Sequence, residues 1–176
     1  MNKPRVCFIC GGAKSVFEDI EKAKDLVPKP HGIIAINDVL AELPHVDYFV
    51  SMHPTKVVNW LKKRRDNGYP DPKSYWTVKD RQVPRAPRFE THPNTRGGSG
   101  LLAVFVARYL KFDKMILCGV PMTIEGAHFF NEKKWNECLI YRVVWERMTS
   151  IKDEVRSVSG WTMEHFGPPS YEWVNY

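Results

Sequence analysis

The sequence predicts an α/β fold, a three-layer arrangement with a mostly parallel sheet in one domain over residues 1–176. Three observations carry this. Short, continuously apolar runs alternate with helix-spaced amphipathic segments, the pattern of strands covered on both faces by crossover helices. Two of those runs, 4–10 and 114–120, end at glycines. A polar, glycine-rich turn, Thr95-Arg96-Gly97-Gly98-Ser99-Gly100, passes directly into an amphipathic helix.

The elements follow in order. Pro4-Arg5-Val6-Cys7-Phe8-Ile9-Cys10 is a buried strand feeding a tight turn at Gly11-Gly12. Ser15 is placed to N-cap a helix over Val16–Leu26, and Glu18, three residues on, completes a capping-box pattern. Val16, Phe17, Ile20 and Ala23 give that helix its inward face. Ile33-Ile34-Ala35-Ile36 is the second strand, with Asn37-Asp38 at its carboxyl end, where polar groups point into the crevice of an open sheet. A short helix over 39–43 and a third strand over 47–51 come next, then Met52-His53-Pro54. A helix from residue 57 carries the basic run Lys62-Lys63-Arg64-Arg65, read as a solvated face, and stops at Asn67-Gly68-Tyr69-Pro70. Ser74–Val78 is the fourth strand. Residues 79–96 are rich in proline and arginine with no sustained period, and the expectation is an irregular loop lying over the site. The glycine turn then leads to a helix over 101–110, a strand over 114–120, a loop containing His128-Phe129-Phe130, a long helix over 133–148 and a last strand over 154–159. An aromatic-rich tail begins at Gly160-Trp161-Thr162.

Composition narrows the function classes. Apolar residues make up 43% and charged residues 26%, the balance of a soluble globular chain. No apolar run approaches the roughly 20 residues that span a bilayer. The N-terminus reads as mature structure rather than a signal peptide, so the expected location is the cytoplasm. Cys7 and Cys10 have CxxC spacing, but Cys7 lies within an apolar strand and no second CxxC completes a metal site. All four cysteines are therefore read as small buried side chains in a reducing compartment, and no metal is expected. The formal charge of +6 suits an anionic ligand or acceptor, nucleic acid included. There is no P-loop GK[ST], zinc cluster or GxSxG elbow.

The candidate site gathers around the two glycine turns. Glycines at a helix start let backbone approach a ligand, and the first-turn N–H groups favour an anion, most often a phosphate. Gly98, Ser99 and Gly100 belong to one such turn; Gly11 and Gly12 belong to the other. His128 stands beyond a strand's carboxyl end, either as a general base or as a loop histidine bonded to its neighbours. His53 either touches ligand or caps the following helix, and the structural role is favoured. Asp38 has two readings: a ligand to a ribose hydroxyl or metal, and an N-cap. Lys14 and Arg96 are phosphate partners or solvated surface charges. Trp161 stacks on a base or acceptor, or, as favoured here, has a core or docking role.

The residues Gly11-Gly12-Ala13-Lys14-Ser15, Ile36-Asn37-Asp38, Gly98-Ser99-Gly100 with its helix, and Met115-Ile116-Leu117-Cys118-Gly119-Val120-Pro121-Met122 together resemble a group of Rossmann-like proteins. That group includes the bacterial sialyltransferases that use CMP-sialic acid and the MptE-like 6-hydroxymethylpterin diphosphokinases. Nearly end to end, including Ser51-Met52-His53-Pro54 and Ser157-Val158-Ser159-Gly160-Trp161-Thr162, the chain also resembles a small phage-encoded family, usually without a known function and sometimes labelled a morphogenetic protein. The resemblance implies a Rossmann-like nucleotide cradle formed by Gly11, Gly12, Ser15, Asn37, Ser99 and Gly100, with His128 nearest the position of the general base. Two positions depart from it. Pro121 stands where those families usually have an Asp, and Ala13-Lys14 replaces a Pro before the Ser.

The expectation is a nucleotide- or nucleotide-sugar-binding transferase, glycosyltransferase-like, acting in the cytoplasm of an infected bacterial host, with nucleic acid as a conceivable acceptor. The alternatives are a non-catalytic phage protein that sequesters or senses a nucleotide, and a virion assembly protein on a Rossmann-like scaffold.

Overall fold

The computed structural model describes residues 3–79, 81–93, 96–125, 128–129 and 133–176. Its seven strands are β1 (Val6–Cys10), β2 (Gly32–Ile36), β3 (Tyr48–Val50), β4 (Ser74–Val78), β5 (Phe89–His92), β6 (Lys114–Cys118) and β7 (Val155–Ser157). They form one all-parallel sheet in the order β5-β4-β3-β2-β1-β6-β7. The helices α1 (Val16–Leu26), α2 (Val57–Asp66), α3 (Gly98–Tyr109), α4 (Cys138–Glu146), α5 (Gly160–Phe166) and α6 (Tyr171–Asn175) flank it. This is a Rossmann-like α/β fold. From β1 the chain builds outward to β5, then returns to the other side of β1 as β6. The order therefore reverses between β1 and β6, and their carboxyl ends open the crevice where ligands of such sheets bind.

The central strands are apolar throughout because both faces are covered. Cys7 and Ile9 of β1 and Met115 and Leu117 of β6 pack toward α3 and Trp145. Phe8, Cys10, Ile116 and Cys118 pack toward the α1 side, with Val16, Ile20 and Ala23. Side chains alternate along a strand, so Cys7 and Cys10, three residues apart, face opposite layers, and their spacing makes neither a redox pair nor a metal claw. All four cysteines are free and buried, and burial pushes the thiols of Cys7 and Cys118 well up.

Several local expectations are corrected. The segment 79–96 is not wholly irregular: Phe89–His92 forms the edge strand β5, paired with β4 in the register Tyr75↔Phe89 to Val78↔His92. Phe89 packs on Phe49 and Tyr75, and His92 stacks on Phe105 at 5.8 Å. The short helix after β2 is a 3₁₀ turn over Asn37–Ala41. The helix expected over 133–148 is shorter, Cys138–Glu146, and the tail holds α5 and α6. Ser15 stands in the N-cap position of α1, but its side chain makes no cap bond; Glu18 pairs with Lys22 on the exposed face instead.

The basic run on α2 is not a free solvated face either. Lys62 pairs with Asp66, Lys63 with Glu42 and Arg65 with Asp71. Arg64 is fully buried, and its guanidinium donates to the carbonyls of Leu40, Leu43, Pro44 and Pro70. It replaces backbone partners that the turns around it lack, which makes it a structural arginine.

At the opposite end of the sheet from the crevice, Asp47 joins the starts of β2 and β3. Its Oδ2 accepts from the Ile33 N–H at 2.9 Å and lies 3.2 Å from His45, while Oδ1 meets Lys73 at 2.7 Å. Burial pushes this carboxyl up, but the Lys73 and Ile33 hydrogen bonds and the charges of His45 and Lys73 outweigh it and hold the carboxyl below its ordinary value. A folded-state value below the unfolded one stabilises the fold above the unfolded pKa and is lost as pH falls through the folded value. Asp47→Asn is thus expected to cost about 1–3 kcal/mol at neutral pH. In urea unfolding across a pH series, the gap to the unsubstituted chain should close below about pH 4.

Candidate functional site

A cavity of about 300 Å³ opens at the carboxyl edge of the sheet, over the β1/β6 reversal. That volume is at the lower end of the range for small-molecule sites.

Its floor is a crossing of the loops after β1 and β6. The Gly11 N–H donates to the Cys118 carbonyl at 2.8 Å, and the Ala13 N–H to the Gly119 carbonyl at 3.2 Å. A Cβ on Gly11 would collide with the Gly119 carbonyl oxygen. Gly119 has φ +65°, and a Cβ there would lie 2.5 Å from that of Val16 and 2.7 Å from the Gly11 oxygen. Only glycine suits both positions. The crossing is held from below by Asp19, 1% exposed, whose Oδ2 accepts from the Gly119 N–H at 2.8 Å, Ser159 Oγ at 2.6 Å and Ser15 Oγ at 3.0 Å. The Ser15 hydroxyl is therefore engaged with Asp19 and Ser159, and Ser15 does not line the cavity.

The second side is a polar lattice at the ends of β2 and β3. Asn37 has φ +57°, a left-handed conformation that asparagine adopts more readily than most residues. Its Oδ1 lies 2.7 Å from Ser51 Oγ and 3.4 Å from Ser99 Oγ. Each hydroxyl already accepts a backbone N–H, Ser51 from His53 at 2.8 Å and Ser99 from Met52 at 3.0 Å. Their protons are directed at Asn37, which fixes its amide with the oxygen toward the serines and leaves Nδ2 as a donor for the cavity.

The third side is the start of α3. Gly97 and Gly98 have φ +81° and +77°, so the helix opens on two residues in a region that side chains resist. The buried Trp145 fixes the turn from behind, its Nε1–H donating to the Gly97 carbonyl at 2.9 Å. Gly100 faces the same indole, where a Cβ would come within 3.1 Å. The first-turn N–H groups of the 12-residue helix lack intrahelical partners, and Gly98, Ser99 and Gly100 line the cavity.

Trp135 and Tyr141, 5.7 Å apart between ring centroids, form an aromatic wall, and the Tyr141 ring lies 3.7 Å from where a Gly98 Cβ would be. Arg81 and His53 also line the cavity. Burial, with the charges of Lys56 and Arg81, holds the His53 imidazole below its usual value. No carboxylate lines the cavity among the described residues, and Arg81 gives it a positive charge.

His128 lines the cavity above Gly12. The Phe129 N–H donates to the Gly12 carbonyl at 2.9 Å, seating this segment on the first glycine loop. A Cβ on Gly12 would lie 2.9 Å from Asp38 Oδ1 and 3.3 Å from His128 Nδ1. Asp38 borders the same space over Gly12 as that imidazole but does not line the cavity. Burial raises its carboxyl above the ordinary value, with the His128 charge acting in the opposite sense.

Of the residues expected at the site, Gly11, Gly12, Asn37, His53, Gly98, Ser99, Gly100 and His128 meet around one cavity, and Asp38 stands behind it. Lys14 and Arg96 are exposed and outside its lining. Thr95, of the glycine turn, lies outside the described residues. Of the segment expected as a lid, Arg81 reaches the cavity, whereas β5 lies at the far edge of the sheet. Trp161 lies outside the cavity lining, between Arg142, 5.2 Å from its ring, and His165, stacked at 5.0 Å. The sequence reading missed Arg81, Trp135 and Tyr141 as lining residues and Asp19 and Trp145 as supports. Trp135 and Tyr141 stand far along the chain from the glycine turn that they wall, so no local signal marked them. Among the described residues, no group of three His, Cys, Asp or Glu could hold a metal ion, and no helix is long and apolar enough to cross a membrane.

Asp19→Ala should leave the Gly119 N–H and two hydroxyls without their acceptor. A loss of about 2–4 kcal/mol is expected, read as a lower urea midpoint at unchanged slope, with Asp19→Asn recovering part of it.

No protein-family model, curated protein or solved structure matches this chain, so its functional reading rests on the site itself.

Proposed function

We propose that the cavity binds a nucleotide or nucleotide-sugar and that the protein is a transferase of glycosyltransferase-like type. One observation carries the reading: the glycine start of α3, the Gly11–Gly119 crossing and the Asn37 amide converge on one carboxylate-free cavity at the strand-order reversal. In this reading the ligand's phosphate sits on the first turn of α3 with Arg81 opposite, and the base or sugar packs on Trp135 and Tyr141. The resemblance to nucleotide-sugar enzymes supports the same placement.

For transfer, the His128 imidazole takes the proton of an acceptor hydroxyl as its oxygen bonds to the transferred carbon of the donor. The carbon–oxygen bond to the phosphate breaks, and the leaving phosphate keeps the electron pair. Oriented N–H groups of α3, already fixed by Trp145 and Ser99, stabilise that developing charge without reorganising. A second reading, nucleotide binding without turnover, is favoured by Pro121, which occupies the position of an Asp in the resembling families and packs against the tail.

Thermal-shift screening against nucleotides and nucleotide-sugars tests both. A ligand at a hundredfold excess over its Kd adds about 2.7 kcal/mol, a rise in Tm of roughly 5–10 °C for a chain of this size. Gly98→Val, at φ +77°, should abolish the rise. His128→Ala should keep it and lose transfer or hydrolysis of the hit. Binding without any turnover in the unsubstituted chain selects the second reading. The absence of a shift with every nucleotide overturns both.

A further inference from the structure

The niche over Gly12 contains a group that the proposed transfer does not use. Asp38 Oδ1 is buried and has no hydrogen-bond partner among the described residues. Buried carboxylate oxygens are ordinarily satisfied, so a donor is owed to it. Gly12 supplies the space: its absent Cβ would lie 2.9 Å from Asp38 Oδ1 and 3.3 Å from His128 Nδ1, so both atoms border a space that any larger residue would fill. The hollow is held on both sides. The Phe129 N–H bond to Gly12 anchors the imidazole's neighbour, and Asn37, locked to Ser51, anchors the residue before Asp38.

We infer that Asp38 is the positioning residue of His128: the neutral imidazole carries its proton on Nδ1, toward the Asp38 carboxylate, and presents a bare Nε2 as its basic nitrogen. The last torsions of Asp and His are broad, and rotation about them is what turns the carboxylate and the imidazole toward each other in this pairing. An ionised carboxylate only accepts, and it therefore selects this tautomer and stabilises the imidazolium that forms when Nε2 takes a proton. The charges facing the pair are those of Glu42 on the Asp38 side, which acts on its carboxyl in the opposite sense to His128. The inference rests on the reading of His128 as the base of the site and adds the group that makes it one.

The test is made on the full chain without ligand, so its outcome is separate from that of nucleotide screening. In ¹⁵N-histidine-labelled protein at alkaline pH, long-range ¹H–¹⁵N correlation reads which ring nitrogen is protonated, with His128→Gln identifying the signal among six histidines. The expected result is a protonated Nδ1 and a bare Nε2 in the unsubstituted chain. Asp38→Asn should move His128 to the Nε2–H form, as a carboxamide can donate where the carboxylate cannot, and leave the other histidines unchanged. Gly12→Ala should have the same effect by parting the pair. An Nε2–H tautomer in the unsubstituted chain, or a tautomer indifferent to Asp38→Asn in a folded protein, overturns the inference.

Discussion

The contact between Gly11 and Gly119 is a close backbone approach on which everything above it depends. Two parallel strands diverge into separate loops as soon as their ladder ends, and side chains ordinarily keep those loops apart. Here both loops begin on glycine, the backbones touch, and the hydrogen bonds from Gly11 to Cys118 and from Ala13 to Gly119 continue the β1–β6 pairing past the strands. The crevice at the strand-order reversal consequently has a floor of peptide groups rather than side chains. Asp19 turns this from a possible packing into a fixed one. Its carboxylate receives the Gly119 N–H that the left-handed turn would otherwise leave without a partner, and through Ser159 it ties the floor to the start of α5.

The charge of the chain and the charge of the site are separate matters. The densest basic run, on α2, is consumed by ion pairs and by the carbonyls around Arg64. The cavity draws its positive character from Arg81 and from helix-start amides, and among the described residues no carboxylate lines it. Amides held by a helix cost nothing to orient when an anion arrives, whereas surface lysines must be ordered first. The net charge of +6 is therefore a property of the surface, separate from the charge of the cavity.

What the sequence made legible follows from which physical signals are local. β1, β2 and β6 are continuous apolar runs because both faces are covered, and that covering is written in every residue. Gly98 and Asn37 were legible from position, a glycine at a helix start and a polar group at a strand's carboxyl end, whereas the left-handed backbone they share emerged only in the fold. β5 was hidden: an edge strand of four residues, Phe89-Glu90-Thr91-His92, has little apolar pattern and gets its identity from β4 alongside. Ser15 and Glu18 form a valid local capping pattern, but Asp19 offers the hydroxyl a buried carboxylate, a tertiary partner that spacing does not reveal. Arg64 is hidden for a related reason. Its partners are backbone carbonyls, which every residue has, and so the sequence around it reads as an ordinary basic helix face.

The tail explains the departure at residue 121. Gly160, at φ +64°, comes so close to Pro121 that a Cβ would lie 2.7 Å from the proline oxygen, and Thr162 donates its hydroxyl to the Val120 carbonyl at 2.7 Å. Position 121 is thus part of the seat for α5, and a carboxylate there would have to share that seat with the tail's backbone. The position is given to packing, and among the described residues the imidazoles of His53 and His128 both line the cavity. Of these, His53 is held below its ordinary value by burial and by the cations Lys56 and Arg81, whereas His128 borders the space over Gly12 together with Asp38 Oδ1. The two imidazoles of the cavity thus have different neighbours, cations for His53 and the Asp38 carboxyl for His128, and Asp38 itself stands outside the cavity lining.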